Sequence, residues 1–431
     1  MNTAEIRKKH KEFLFPAIKN FYKEPIVVRE GKGYQLTDTD GNQYLDFFGG
    51  ILTVSIGHAN KEINDAVIEQ INRLSHVSTL YQVESAVQLA ETLARITPGL
   101  LKKSFFTASG TEADETAVMM AQVFTGNTEF IALRYAYAGR SLLAQALTAH
   151  STWRALPTQV ASIKHALAPY CYRCPLKSTY PQCGVGCAED VEELIKTTTT
   201  GEIAGMMVEP IQGVGGFITP PKEYFKVVAD IVHHYGGIFI SDEVQTGFGR
   251  TGKMFGIEHF DVEPDMITMA KGIANGLPLG AVITTGEIAD SLVKNSISTF
   301  GGNPVSCAAA NKTIEIIERD KLADNCNVCG KVLRNGLERL QQKYPKFIGD
   351  VRGMGLMQAL ELVVDEPQKD HTPNPKAVDQ LMEETKNRGL LIGRGGLSGN
   401  VVRISPPMTV DTTTVEEAVN ILDDAFAALN Q

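Results

Sequence analysis

Apolar residues in this chain follow two rhythms. Over 61–74 and 85–96 they recur every three or four positions, as at Ala86, Leu89, Ala90, Leu93 and Ile96, and this spacing predicts amphipathic helices. Elsewhere they form short unbroken runs at 104–108, 129–133, 203–208, 236–242 and 265–271. Runs of that length, bounded by glycine or closed by a charge, are what strands buried on both faces of a parallel sheet look like. A helix is expected at 222–235, between two of these runs. The order strand, helix, strand predicts an α/β domain with a mostly parallel sheet.

The flanks read differently. Polar and apolar residues alternate around Asp40-Gly41 over 34–46, the mark of a β-hairpin, which runs into Phe47-Phe48-Gly49-Gly50-Ile51 and Gly57-His58. The paired glycines suit either close approach of backbone to a ligand or a plain turn. A further helix is expected at 308–319. From about 325 onward helices and strands alternate in shorter units, which predicts a smaller α+β domain. The expected organisation is a segment 1–60 packing with that small domain, a large domain 61–324 and the small domain 325–431.

Composition narrows the functional classes. At 431 residues, 43% of them apolar and 21% charged, the chain is long enough for two domains of ordinary globular composition. A net charge of −9 without a basic cluster offers no electrostatic footprint for nucleic acid or an anionic membrane. No apolar run reaches the roughly 20 residues that span a bilayer, and the charged N-terminus lacks the apolar segment of a signal peptide, so a cytoplasmic location is the expectation. Four of the seven cysteines (Cys171, Cys174, Cys183 and Cys187) fall within one Pro- and Tyr-rich stretch. Their spacing is compatible with reduced thiols, local disulfides or a small structural zinc site.

Candidate chemistry gathers at strand ends, where ligands sit in such sheets. Asp242 and Lys271, 29 positions apart, each close an apolar run and would face one crevice. They could form a buried ion pair. A carboxylate and an amine there also suit pyridoxal phosphate, which needs a lysine to bind and an acid for its ring nitrogen. Ser109-Gly110-Thr111 stands between a strand and a helix with an acidic first turn, as either an N-cap or a phosphate cradle. Tyr137 lies just past another strand and could stack on a flat cofactor. Arg140 follows it and could clamp a carboxylate, although both also fit a surface loop. Glu209 closes a fourth run beside the glycine-rich Gln212-Gly213-Val214-Gly215-Gly216.

The run Asp242-Glu-Val-Gln245-Thr-Gly-Phe-Gly-Arg-Thr-Gly252, followed by Met-Ala-Lys271-Gly, resembles the class III pyridoxal-phosphate aminotransferases of fold type I, and the likeness extends from Tyr44-Leu-Asp46 to Arg403-Ile-Ser-Pro-Pro. The resemblance implies that Lys271 is the Schiff-base lysine and Asp242 the partner of the ring nitrogen. Gln245 would lie near the ring hydroxyl, Ser109, Gly110 and Thr111 at the phosphate, and Tyr137 against the ring, with Glu209 among the cofactor-binding residues. It also implies a homodimer in which Thr299 reaches the neighbouring subunit's cofactor. Ile51, Arg140 and Arg403 would contact substrate, and no metal is expected.

Two departures bear on specificity. Ala138 stands where many relatives have histidine, and Val214 where 4-aminobutyrate aminotransferases commonly carry the glutamate that neutralises the arginine matching Arg403. Left unpaired, Arg403 should favour substrates with an α-carboxylate, such as alanine, glyoxylate or pyruvate. In this the chain is similar to the type-2 alanine–glyoxylate group, whereas Arg140 matches the 4-aminobutyrate group. The implied activity is transfer of an amino group from alanine, β-alanine or another ω-amino acid to a 2-oxo acid. A 4-aminobutyrate:2-oxoglutarate enzyme, an aminomutase or racemase, and a non-enzymatic scaffold are the competing readings. An aminotransferase-like regulator would need a basic DNA-binding module, for which the first 60 residues offer no candidate.

Overall fold

The computed structural model describes residues 1–18, 20–157, 160–364 and 371–430. After the helix Thr3–Phe13 come strands β1 (Val28–Lys32), β2 (Gln35–Asp38) and β3 (Gln43–Asp46). β2 and β3 form the expected hairpin, with Thr37 opposite Gln43. Its turn is held by Asp38, whose carboxylate accepts from the backbone N–H groups of Asp40 (2.9 Å) and Asn42 (2.8 Å).

Seven strands make the central sheet: β4 (Lys103–Thr107), β5 (Phe130–Leu133), β6 (Ile163–Ala166), β7 (Gly205–Val208), β8 (Ile238–Asp242), β9 (Met266–Met269) and β10 (Gly280–Thr284), in the order β4-β10-β9-β8-β7-β5-β6. The five strands from β6 to β9 in that order run parallel, while β10 is antiparallel to both neighbours. Every residue of β5, β7, β8, β9 and β10 is buried, which is why these segments read as unbroken apolar runs.

Alternation along the strands separates two faces. Ile131, Leu133, Met206, Val208, Phe239 and Ile267 share a core with Tyr224, Phe225 and Val228 of the helix Tyr224–His234. Phe130, Ala132, Met207, Ile238, Ile240 and Met266 pack instead with Ala113, Ala117 and Ala121 of the helix Gly110–Thr125. Asp242 and Thr268 continue this second series, two positions beyond Ile240 and Met266, and they face each other in the β8–β9 register.

The C-terminal part contributes β11 (Ile348–Met354), β12 (Met357–Leu362), β13 (Leu390–Leu391), β14 (Gly393–Gly395) and β15 (Val401–Ile404). β13 pairs in parallel with β3, and Ser405 N–H donates to the Phe47 carbonyl (2.8 Å), so residues far apart in sequence share one layer. The line between 324 and 325 falls inside the first turn of the helix Leu322–Lys343. The chain breaks just before it, at Lys321 (φ +52).

Three element boundaries differ from expectation for local reasons. The helix expected at 308 starts at Pro304, because Asn303 caps it by accepting from Val305 and Ser306, and proline suits the first turn. The helix expected at 222 starts at Tyr224, after Pro220-Pro221. β9 stops at Met269, and Lys271 opens the short 3-10 turn Lys271–Ala274 with φ +48.

The cysteine-rich loop is tied to the C-terminal sheet by a buried polar cluster. Glu361 of β12, fully buried, accepts from Arg352 (2.7 Å), Tyr170 and Arg173. Arg352 in turn donates to the Gly216 carbonyl (2.8 Å), connecting this cluster to the glycine-rich loop after Glu209. All seven cysteines are free thiols, and no group of His, Cys, Asp and Glu among the described residues is arranged to hold a metal ion. Among the described residues no helix is long and apolar enough to cross a membrane.

Candidate active site

The carboxyl ends of β7, β8 and β9 bring Glu209, Asp242 and Lys271 together beneath the N-terminus of the helix Gly110–Thr125. Asp242 is 6% exposed and accepts from Val244 N–H at 2.9 Å. Burial raises its pKa to about 6, against the pull of that N–H, of Lys271 and of Thr268. Removal from water also holds the Lys271 amine below the usual lysine range, although Asp242 and then Glu209 act in the opposite direction. An amine so depressed is neutral, and therefore nucleophilic and basic, more of the time than a solvated lysine.

Glu209 serves as a clamp. Its carboxylate accepts from Tyr137 N–H (3.1 Å) and Gly213 N–H (2.7 Å), fixing the aromatic loop and the glycine-rich loop to the same strand end. Burial first, then the charge of Asp242, raises its pKa to about 8. Tyr137 is half-buried, with its ring edge-on to Trp153 at 5.6 Å. Ala138 is buried in the core beside the helix Gly110–Thr125, and its N–H donates to Thr148 Oγ1 at 3.0 Å.

At the helix start Ser109 is the N-cap, its Oγ accepting from Glu112 N–H (3.3 Å), and Thr111 Oγ1 accepts from Arg140 N–H (3.3 Å). Each hydroxyl still has its own proton to donate. Gly139 must be glycine here: its φ is +128, and a Cβ would lie 2.1 Å from Thr111 Oγ1. Gln245 packs over Gly213, where a Cβ would lie 2.2 Å from Nε2, and its Oε1 is buried without a donor.

Arg403 of β15 is 4% exposed. Its guanidinium lies over the rings of Phe48 (4.8 Å) and Phe217 (5.5 Å) and donates to the carbonyls of Arg394 (3.0 Å) and Gly213 (3.3 Å). Among the described residues no carboxylate lies within ion-pair distance of it; burial lowers its pKa to about 10, with the charge of Glu209 acting in the opposite direction. Val214 is buried close by, its carbonyl accepting from Gly396 N–H at 3.0 Å.

The remaining expected residues lie further out. Arg140 is exposed at the rim, Ile51 is 44% exposed in a left-handed turn (φ +64), and Thr299 is exposed beside Phe300 in a surface loop. Sequence reasoning missed Trp153, Phe48, Phe217 and Thr268. Asp114, further along the helix that follows Ser109-Gly110-Thr111, was not singled out either. The period-2 pattern through Ile238, Ile240 and Asp242, extended to Met266 and Thr268, would have found Thr268.

The aminotransferase class III family model matches residues 18–426. The mitochondrial alanine–glyoxylate aminotransferase 2 homolog 2 of Arabidopsis thaliana is 43% identical over 425 residues, covering 98% of this chain and 87% of its own. The 5-aminovalerate aminotransferase of Pseudomonas putida is 36% identical over 413 residues, covering 94% of each. An amine transaminase from an uncultivated Pseudomonas species, solved in its pyridoxal-phosphate-bound form, superposes with a TM-score of 0.90 at 30% identity, covering 97% of this chain and 98% of that one.

The residues present fit pyridoxal 5′-phosphate. Asp242 would take its ring nitrogen, the orphaned Gln245 Oε1 its ring hydroxyl, Tyr137 its ring face and the free donors at Gly110 and Thr111 its phosphate, with Lys271 as the amine that binds it. The chain therefore belongs to the class III aminotransferases and is a pyridoxal-phosphate-dependent transaminase of fold type I.

Proposed function

We propose that this enzyme passes the amino group of alanine, or of an ω-amino acid such as β-alanine, to glyoxylate or pyruvate. The observation that carries this reading is Arg403, a buried guanidinium with no carboxylate partner among the described residues and with Val214 nearby. A buried unpaired charge is costly, and a substrate's α-carboxylate would relieve that cost. Alanine, glyoxylate and pyruvate all bring one. For an ω-amino donor, the exposed Arg140, held beside Thr111 and Tyr137, is the group placed to take the far carboxylate.

The cofactor supplies the electron sink, and the chain's residues do the rest. Asp242 would accept a hydrogen bond from the ring nitrogen and so keep that nitrogen protonated. Lys271 Nζ would take the proton of the substrate carbon as general base, aided by its depressed pKa. Glu209 keeps the loops carrying Tyr137 and Gly213 in place on either side of the crevice.

A panel of alanine, β-alanine, 4-aminobutyrate and ornithine against pyruvate, glyoxylate and 2-oxoglutarate tests the reading. Highest kcat/KM is expected for alanine or β-alanine with glyoxylate or pyruvate. A strong preference for 4-aminobutyrate with 2-oxoglutarate would overturn it, and absence of any new amino acid would exclude transamination.

The same reading makes the enzyme a homodimer in which Thr299 serves the partner's cofactor phosphate, and it takes 1–60 with the C-terminal part as the small domain. The exposed loop carrying Thr299 and Phe300, 63% exposed, and the β3–β13 pairing support these two points. Lys271→Ala and Thr299→Glu subunits, each defective alone, should regain up to about half of wild-type activity per mixed dimer when co-expressed, because one composite site is then intact. No recovery would place Thr299 at its own subunit's site or at none.

A further inference from the structure

One buried carboxyl at the floor of the site has no role in the chemistry described above. Asp114 is 2% exposed and stands four positions after Gly110, hence on the same face of the helix Gly110–Thr125. That face lies against the segments following β8 and β9: a Cβ at Gly110 would sit 3.3 Å from Val244 and 3.4 Å from Ala270. Asp242 and Thr268 project toward this helix from their facing positions on β8 and β9. Asp114 Oδ1 and Thr268 Oγ1 are both buried without a hydrogen-bond partner. Asp242, Thr268, Glu209 and Lys271 all act on the Asp114 carboxyl, so a helix residue, two strand ends and the lysine are gathered in one largely buried cluster.

Two carboxylates in such a cluster cannot both stay charged at low cost. Burial first, then the charge of Asp242, pushes the Asp114 carboxyl well above the usual carboxylate range, so it keeps its proton while Asp242 can be ionised. The neutral acid then has an O–H to donate, and Thr268 and Asp242 are the acceptors that project toward its helix. We propose that Asp114 is a positioning residue for Asp242, donating a hydrogen bond toward it directly or through the Thr268 hydroxyl, so that Asp242 presents a single, oriented negative charge to the cofactor's ring nitrogen. This rests on the assignment of Asp242 to that nitrogen.

The test uses Asp114→Asn, Asp114→Ala and Thr268→Val in the full chain. Affinity of the cofactor-free protein for pyridoxal phosphate is read from quenching of Trp153, the single tryptophan, which sits against Tyr137. The pH midpoint of the bound cofactor's visible absorbance is the second readout, with thermal melts alongside to identify unfolded variants. Asn keeps an N–H donor and should bind within about threefold of wild type. Ala should bind roughly tenfold more weakly, consistent with loss of one charge-assisted hydrogen bond, and shift the absorbance midpoint. If Thr268 relays the bond, Thr268→Val should match Ala and the double variant should add little.

Wild-type binding and an unchanged midpoint in a folded Asp114→Ala protein would overturn the proposal. So would an Asn variant as impaired as Ala, since packing and not donation would then be at stake. Failure of the wild-type chain to take up the cofactor would instead overturn the cofactor assignment itself.

Discussion

Lys271→Ala is expected to lower transamination by about 10,000-fold or more, since on the proposed mechanism it removes both the amine that would bind the cofactor and the base that would move the proton. The purified variant should also lack the visible absorbance of the lysine-bound cofactor. The loss should not come from misfolding. Lys271 already carries its left-handed backbone (φ +48), and alanine, with the same Cβ, adds no new strain there.

Stability of the cofactor-free protein should respond to pH in a direction the buried acids set. Asp242 titrates near 6 in place of 3.8 and Glu209 near 8 in place of 4.5, so the folded state holds more protons than the unfolded one between those values. Each contribution is fully present below the unfolded pKa and is lost as pH rises through the folded one. These two acids should therefore pull the melting temperature down between about pH 4 and pH 8, while His150, His165 and His259, held below the usual imidazole range by burial, act in the opposite direction. Removing the Lys271 charge, which lowers both acids' pKa values, should extend the fall to higher pH. A pH dependence of the melting temperature unchanged by Asp242→Asn and Glu209→Gln would contradict the burial of these two carboxyls.

Asp242 and Lys271 were conspicuous in the sequence because a strand buried on both faces leaves no place for charge except its end. Glu209 was visible for the same reason, and the Asn-Gln-Tyr hairpin side because its alternation survives one-sided burial. Other parts of the site carry no such mark. Phe48, Phe217 and Arg403 come from three distant segments and meet only through tertiary packing, so no local period announces them. Asp114 has the composition of an ordinary helix N-terminus, and only the direction of its helix face shows that it points into the sheet. The helix at Pro304 was hidden by a Gly-Gly-Asn-Pro stretch that reads as a turn until Asn303 is recognised as its cap.

Arg403 gives the second large effect. Arg403→Ala should raise KM for alanine and glyoxylate by about 100-fold, the scale of a buried bidentate guanidinium–carboxylate contact, while changing 4-aminobutyrate turnover far less. Val214→Glu is the sharper experiment, because it keeps the arginine and supplies a competing carboxylate. Of the guanidinium's five N–H donors, two meet backbone carbonyls and the faces are covered by Phe48 and Phe217, so the remaining donors define where an anion must go. A glutamate at 214, on the loop whose Gly213 carbonyl already touches Arg403, would fill that position from within. Alanine–glyoxylate kcat/KM should then fall by roughly 10- to 100-fold, while the ratio of 4-aminobutyrate to alanine activity rises. If both activities fall in proportion, Val214 acts through packing alone, and the choice between donors must be made at Arg140 on the opposite side of Thr111.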